Sequence, residues 1–388
     1  MTLLERLDAA IALTDEERML LDSVHVLARD QIAPRAAEYD RTGEFPWDNI
    51  RAINQLGLNA MFVPEAYGGA AMSYTAYLAC VREISRACAA TGIIWATNYH
   101  GMKPLIDWGT EEQKQRLLPR IAEGGLGALA ITEPGAGSDA TGMRTTFRED
   151  GDSIVVNGGK TFITNGDVAE LFLLFGKWDG VAGAKESISV LVLEKGTPGL
   201  SVVRLEDKMG TRASSTATLA FDNCRVPRSN LLGNPGDGLK ILFASLNKSR
   251  PSVAAHALGI ARAAFEDAVD YINERRQSGR RILEFQGIQF MVADLASELL
   301  LVESLLWQLA RAVDAGAKDF GMEASVLKMR ASDLAMKAAT ESVQLLGGYG
   351  YCKDYRVERL MRDAKITQIW EGTNQVHRQL VGRSFLRR

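Results

Sequence analysis

Leu126-Gly127-Ala128-Leu129-Ala130-Ile131-Thr132-Glu133-Pro134-Gly135-Ala136-Gly137-Ser138-Asp139-Ala140 is where the chain changes character. Before it, apolar residues recur at helical spacing; after it, they come in short runs of strand length. The stretch contains a formal Gly-x-Gly-x-x-Ala, the pattern of a dinucleotide-binding turn. That pattern needs a helix straight after the glycines and a βαβ unit around it. Here the chain runs on toward strands, so we do not read a nicotinamide-binding Rossmann site. The residue types still suit a phosphate or a flat ring, because the glycines expose backbone N–H groups and Thr132 and Ser138 add hydroxyls. The alternative is an ordinary Gly-rich turn.

Working outward, residues 1–126 read as an N-terminal α-helical domain. Thr14-Asp15-Glu16-Glu17 has the form of a capping box ahead of Leu20, Leu21, Val24 and Leu27. Further helices are expected from Asp48 to Gly57, from Tyr74 to Ala90 and from Thr110, the last with a kink or a new start at Pro119. Residues 127–237 read as a middle antiparallel β domain. Ile154–Val156 looks like a strand entering a hairpin turn at Asn157–Lys160, and Leu171–Phe175, Ile188–Leu193 and Thr218–Phe221 are further strands. Residues 238–388 read as a C-terminal four-helix bundle with helices near 238–276, 284–315, 320–347 and 356–385, the last broken near 371. Val292, Leu295, Leu299, Val302, Leu306, Leu309 and Val313 form one apolar stripe. The fold class is α+β and multidomain.

With 388 residues the chain exceeds one ordinary core. The net charge of −3 gives no sign of a nucleic-acid binder. No apolar run approaches the roughly 18 residues of a membrane span. The N-terminus shows no signal-peptide pattern. Cys80, Cys88, Cys224 and Cys352 form no Cys-x-x-Cys pair and there are four histidines, so neither a metal site nor a disulfide framework is expected. A reducing cytoplasm fits.

Four stretches carry candidate chemistry. In Ile369-Trp370-Glu371-Gly372-Thr373-Asn374-Gln375, a carboxylate follows two large apolar residues and is expected to be partly desolvated, as a general base would be. Gly372 permits a tight turn. Phe162-Ile163-Thr164-Asn165-Gly166 sets an aromatic near a hydroxyl, suited to covering a cofactor ring, or else a core Phe and a turn. Asn273–Arg281 carries four arginines, suited to phosphate or to a solvated helix end. Leu346-Gly347-Gly348-Tyr349-Gly350-Tyr351 sets glycines after a helix.

Together these stretches resemble the acyl-CoA dehydrogenase family across essentially the whole chain. Ala130–Asp139 is similar to its first signature. Gln344–Tyr351, Arg362-Asp363-Ala364 and Ile369–Thr373 are similar to its second. The resemblance implies non-covalent FAD and an acyl-CoA thioester dehydrogenated to a trans-2-enoyl-CoA. Glu371 would take the α-proton, the hydride would go to flavin N5, and an electron-transfer flavoprotein would accept the electrons. It implies that Ile131, Thr132, Gly137 and Ser138 line the FAD, with Ser138 also reaching CoA, and that Phe162, Ile163 and Thr164 lie over the flavin. Arg275, Gln277, Gln286, Gln344 and Gly348 would hold the FAD of a neighbouring subunit in a homotetramer, and Thr373 and Gln375 would close the site. Asn247 and Arg250 would contact CoA; Gly372 would flank the substrate. The resemblance departs at Phe162, where the family often has Trp, at Asn247, where it often has Asp, and at Ser278, where many members have Phe. Trp95 and Trp370 fall on segments expected to line the acyl channel, which implies a short, branched or compact ring-bearing acyl group. The alternative for Trp95 is a core residue facing away. Other readings are an oxygen-using acyl-CoA oxidase and a catalytically silent scaffold.

Overall fold

The computed structural model describes residues 2–386. Seven α-helices come first: α1 (Leu3–Ala9), α2 (Asp15–Leu27), α3 (Ala36–Thr42), α4 (Trp47–Gln55), α5 (Tyr74–Ala87), α6 (Ala89–Trp108) and α7 (Glu111–Ala122). Thr14 starts α2 as its capping box requires: its Oγ1 accepts from Glu17 N at 3.2 Å, and Glu17 accepts from Thr14 N at 3.0 Å. Two expectations need correction. Cys88 takes φ −153° and ψ 108°, so the run from Tyr74 is split into α5 and α6 instead of one helix to Ala90. Conversely, α7 is continuous through Pro119 and no new helix starts there. Leu117, Leu118 and Ile121 are fully buried. At about 1.5–3 kcal/mol each, their burial outweighs the ~3 kcal/mol cost of an internal proline. Helix α6 is buried nearly all round, as a helix with no polar face must be.

The strands are β1 (Gly127–Ala130), β2 (Thr146–Asp150), β3 (Ser153–Thr164), β4 (Leu171–Trp178), β5 (Ile188–Glu194), β6 (Leu200–Leu205), β7 (Thr216–Pro227) and β8 (Leu231–Leu232). They form one sheet in the order β6-β7-β3-β2-β4-β5-β8, with β1 also on β4. The sheet is mixed and not purely antiparallel, because β1 and β2 both pair with β4 in parallel. Neither is joined to β4 by a hairpin, so neither is forced antiparallel. The hairpin expected at Asn157–Lys160 is absent too: β3 runs straight through, opposite a bulge in β7 at Asp222–Asn223, and the turn into it is at Gly151. In β4, Leu171, Leu173 and Phe175 pack with Met102, Leu105 and Leu117 of the helices, while Phe172 and Leu174 pack with Ile154 and Val156 inside the β layer. Both faces are covered, which is why the strand reads as an unbroken apolar run.

The chain then forms α8 (Gly238–Glu274), a two-residue ribbon of β9 (Arg276–Gln277) and β10 (Arg280–Arg281), α9 (Gln286–Asp314), α10 (Gly321–Leu346), α11 (Val357–Thr367) and α12 (Asn374–Ser384). The break expected near 371 separates α11 from α12. Helix α8 crosses α5 so closely that a Cβ on Gly259 would sit 2.4 Å from the Arg82 carbonyl oxygen. Beside that crossing Glu303, fully buried on α9, accepts from Arg82 Nη1 at 3.0 Å and Arg262 Nη2 at 2.7 Å. Asp8 on α1 joins both arginines.

Glu303→Gln removes the buried carboxylate that the two guanidiniums share and leaves them Asp8, a defect worth up to about 3–5 kcal/mol. Thermal unfolding is expected to show a drop of several degrees. Asp30→Asn, at the exposed Arg29–Asp30 pair, is expected to leave Tm unchanged.

Candidate active site

The segment between α11 and α12 makes a turn of two left-handed residues, Glu371 (φ +52°) and Gly372 (φ +91°). For a glutamate that conformation costs about 1–3 kcal/mol and persists only where its surroundings enforce it. They do so by holding both carbonyls. His377 Nε2 donates to the Glu371 carbonyl at 3.2 Å, and Lys328 Nζ donates to the Gly372 carbonyl at 2.7 Å. Asn374 N closes the loop on the Gln368 carbonyl at 3.0 Å. Thr373 spends its hydroxyl capping α12 by accepting from Val376 N at 3.3 Å.

The turn sends the Glu371 side chain inward, where it is 16% exposed. Ser249 Oγ on α8 donates to Oε2 at 2.9 Å. His100 Nδ1 on α6 lies 3.8 Å from Oε1. The Glu371 backbone N–H has no backbone acceptor among the described residues. Trp370 packs its ring against His256 of α8, 5.4 Å between centres. Burial pushes the His377 imidazole down to about 3 and His256 to about 4, and lowers His100 despite the pull of Glu371. Burial likewise lowers Lys328 to about 7. Three of the four histidines thus sit neutral around the Trp370–Gly372 turn. Sequence reasoning missed them, along with Ser249 and Lys328. The one available signal was that Ser249 and His256 are seven residues apart, two turns on a single face of α8. Nothing marked His100.

Arg250 and Asn247 are joined at 3.2 Å, and Arg250 also donates to Ser325. Arg250 is buried, facing α10. Trp95 takes the core position: it is 1% exposed, its ring 5.4 Å from that of Tyr77. Gln375 is exposed.

A second group of predicted residues lies at the mouth of the β domain. Glu133 is the anchor there. It accepts from Lys160 Nζ at 2.8 Å and from Thr145 N at 3.0 Å, while Lys160 also donates to the Ile131 carbonyl at 2.8 Å. Thr161 N pairs with the Thr132 carbonyl at 2.9 Å. These bonds fix Ile131 and Thr132 beside β3. A bulge at the end of β3 puts Phe162 at φ +59° and turns its ring outward, 63% exposed, so it is not a core residue. Ile163 is buried, and Gly137 and Ser138 are exposed. The Thr132, Ser138 and Thr164 hydroxyls have no protein partner among the described residues. Asn165, also left-handed, donates to the Ile94 and Gly127 carbonyls at 3.1 and 3.2 Å, tying this edge to the helix that carries His100.

Arg275, Gln277, Gln344 and Gly348 are brought together elsewhere. They line a cleft of about 730 Å³ with Tyr271, Tyr349 and apolar residues. The Arg275 guanidinium lies over the Tyr349 ring at 5.6 Å. A Cβ on Gly347 or Gly348 would meet nothing within 4 Å. Gln286 is exposed at the start of α9 and outside this lining.

Three family models match in order: the acyl-CoA dehydrogenase N-terminal domain over residues 14–125, the middle domain over 128–224 and the C-terminal domain over 236–386. An acyl-CoA dehydrogenase of Bacillus subtilis (strain 168) is 44% identical over 96% of this chain and 98% of its own length. The butyryl-CoA dehydrogenase of Megasphaera elsdenii superposes with a TM-score of 0.94 at 38% identity, over 97% of this chain and 99% of that one. An acyl-CoA dehydrogenase from Bacillus anthracis, solved in complex with FAD, gives 0.89 at 32% identity, over 96% of this chain and 67% of that one. The chain belongs to the acyl-CoA dehydrogenase family. It is an oxidoreductase acting on an acyl-CoA.

The buried histidines make stability depend on pH. With folded values below the unfolded 6.5, the unfolded chain binds more protons in the window between, so stability falls as pH falls from about 6.5 toward 4. Each histidine contributes about 1.4 kcal/mol per pH unit there. His377→Gln keeps an N–H donor but no titration, so its Tm is expected to fall less between pH 7 and 4.5 than that of the unsubstituted protein. Parallel curves would remove His377 as a contributor.

Proposed function

We propose that this chain is an FAD-dependent dehydrogenase of a short, branched or compact acyl-CoA, with Glu371 as the base that takes the α-proton. The observation that carries it is the held turn: a mostly buried carboxylate with one hydroxyl donor, next to its own uncommitted backbone N–H. The residues fit FAD. The unpartnered Thr132, Ser138 and Thr164 hydroxyls offer hydrogen bonds, Phe162 offers an exposed ring face, and the open space at Gly135 and Gly137 admits a backbone-hugging ligand. The cleft at Arg275, Gln277, Gln344 and Gly348, with Gln286 nearby in sequence, suits the other end of an FAD shared with a neighbouring subunit, hence a homotetramer. Bound FAD supplies the acceptor for the β-hydride.

The protein's own part is positioning and charge control. Glu371 receives the proton. As negative charge grows on the thioester oxygen, the Glu371 N–H donates to it, a fixed dipole that needs no reorganisation. His100, neutral through burial, leaves the carboxylate free of a competing ion pair. Asn247, Arg250 and Ser138 serve CoA, and Gly372, Thr373, Gln375 and Trp370 close the site against water. Domains bounded at 126/127 and 237/238, an electron-transfer flavoprotein as acceptor and a cytoplasmic location complete the reading. The butyryl-CoA dehydrogenase at a TM-score of 0.94 supports a short acyl group.

Glu371→Gln is expected to fold and bind FAD normally and to lose at least about 10²–10⁴-fold in turnover. Near-normal turnover by a flavin-loaded variant would sink the assignment. Butyryl- or isobutyryl-CoA is expected to give a higher kcat/KM than octanoyl- or palmitoyl-CoA; the reverse order would contradict the short-acyl reading.

A further inference from the structure

The wall around Glu371 holds several buried polar atoms with no partner. Trp370 Nε1, His256 Nδ1 and His100 Nε2 make no hydrogen bond. His256 is fully buried and His100 is 3% exposed. Buried polar groups are nearly always satisfied, because an unmet one costs its full desolvation. Two of these three atoms stand on the Trp370 and His256 rings, which pack together beside the turn, and call for a common partner.

The chemistry of that partner follows from the tautomers. His256 Nε2 lies 2.9 Å from the Ala89 carbonyl, so Nε2 carries the hydrogen and Nδ1 is left as an acceptor. The Trp370 indole N–H is a donor. The two rings are 5.4 Å apart between centres, yet the two atoms do not bond each other. One hydroxyl both accepts from an N–H and donates to an imidazole nitrogen; a methylene or a ketone does not. A carboxylate fits less well. Burial holds His256 neutral with Nδ1 as an acceptor, which repels a carboxylate oxygen; Lys328 is engaged by Gly372 and Asn374, and Arg250 bonds Asn247 and Ser325 through Nη1 while its Nε stays unpartnered. The face of α8 here mixes polar and apolar residues: Ser245, Ser249, Ser252 and His256 are buried beside Leu242 and Val253, with Ser252 bonded to Tyr77 at 3.0 Å.

We propose that the acyl group this enzyme dehydrogenates carries a hydroxyl beyond its β-carbon, held between Trp370 and His256. This rests on the dehydrogenase reading above. The FAD-loaded protein is to be assayed with a dye acceptor on cyclohexanecarbonyl-CoA and on its 3- and 4-hydroxy derivatives as separate cis and trans isomers. At least one hydroxylated isomer is expected to exceed the parent in kcat/KM by about tenfold or more, since a site built to bond a hydroxyl rejects the analogue that lacks it. Trp370→Phe and His256→Phe, which keep an aromatic ring and lose the polar atoms, are expected to bring that ratio toward one. If the parent and all isomers react equally well, or the parent best, water and not substrate fills these positions and the inference falls while the dehydrogenase reading stands. If no acyl-CoA of any kind reduces the bound flavin, the dehydrogenase reading falls, and this inference with it.

Discussion

The structure depends on two hydrogen bonds that hold consecutive carbonyls of one turn: His377 to Glu371 and Lys328 to Gly372. A left-handed glutamate is a strained residue, and the strain is tolerated because the neighbours leave no alternative. A Cβ at Gly372 would press on His377 Nε2 at 3.1 Å, in a backbone conformation that side chains rarely adopt, so a residue other than glycine there disturbs the clamp. The clamp is itself costly. Lys328 is fully buried, and burial brings its ammonium down to about 7. Asn374, bonded to Lys328, Ser332 and Asp333, shares that load. Four helices meet there: α10 supplies Lys328, α12 supplies His377, α8 supplies Ser249 and α6 supplies His100. The bundle matters to the chemistry because it fixes these four relative to one carboxylate.

Much of this was legible in the residues. Stripes such as Leu295, Leu299, Val302 and Leu306 mark long helices because 3.6-residue periodicity is a property of the chain itself. The all-apolar runs of β4 and β5 mark strands covered on both faces. Ile369, Trp370 and Gly372 around Glu371 suit a solvated loop glutamate as well as a desolvated one, and it was the resemblance over the whole chain that singled Glu371 out. Two of the misreadings share a cause. The helix through Pro119 and the strand through Gly158-Gly159 are places where packing or pairing overrules a local signal, and the split at Cys88 is a backbone kink that carries no local signal. Leu117, Leu118 and Ile121 keep a helix that proline disfavours, and pairing with β7 keeps a strand that two glycines disfavour. The scarcity of histidine was used to dismiss a metal site, and it also hid the fact that three of them converge. Convergence of His100, His256 and His377 from three helices has no trace in spacing along one of them.

The same convergence separates two jobs within one pocket. On one side, His100 and Ser249 face the Glu371 carboxylate. On the other, Trp370 and His256 hold polar atoms that the protein does not satisfy. A pocket that only excluded water would be lined by aliphatic side chains, as the sheet core is. The central claim is that the clamped turn aims Glu371 at the acyl α-carbon. A crystal structure of the FAD-loaded protein with a slowly reacting short acyl-CoA analogue tests it most directly. The account predicts the Glu371 carboxylate against the α-carbon, its backbone N–H on the thioester oxygen, and both carbonyls of the turn still held by His377 and Lys328. A released turn, or another side chain standing at the α-carbon in place of Glu371, would contradict it.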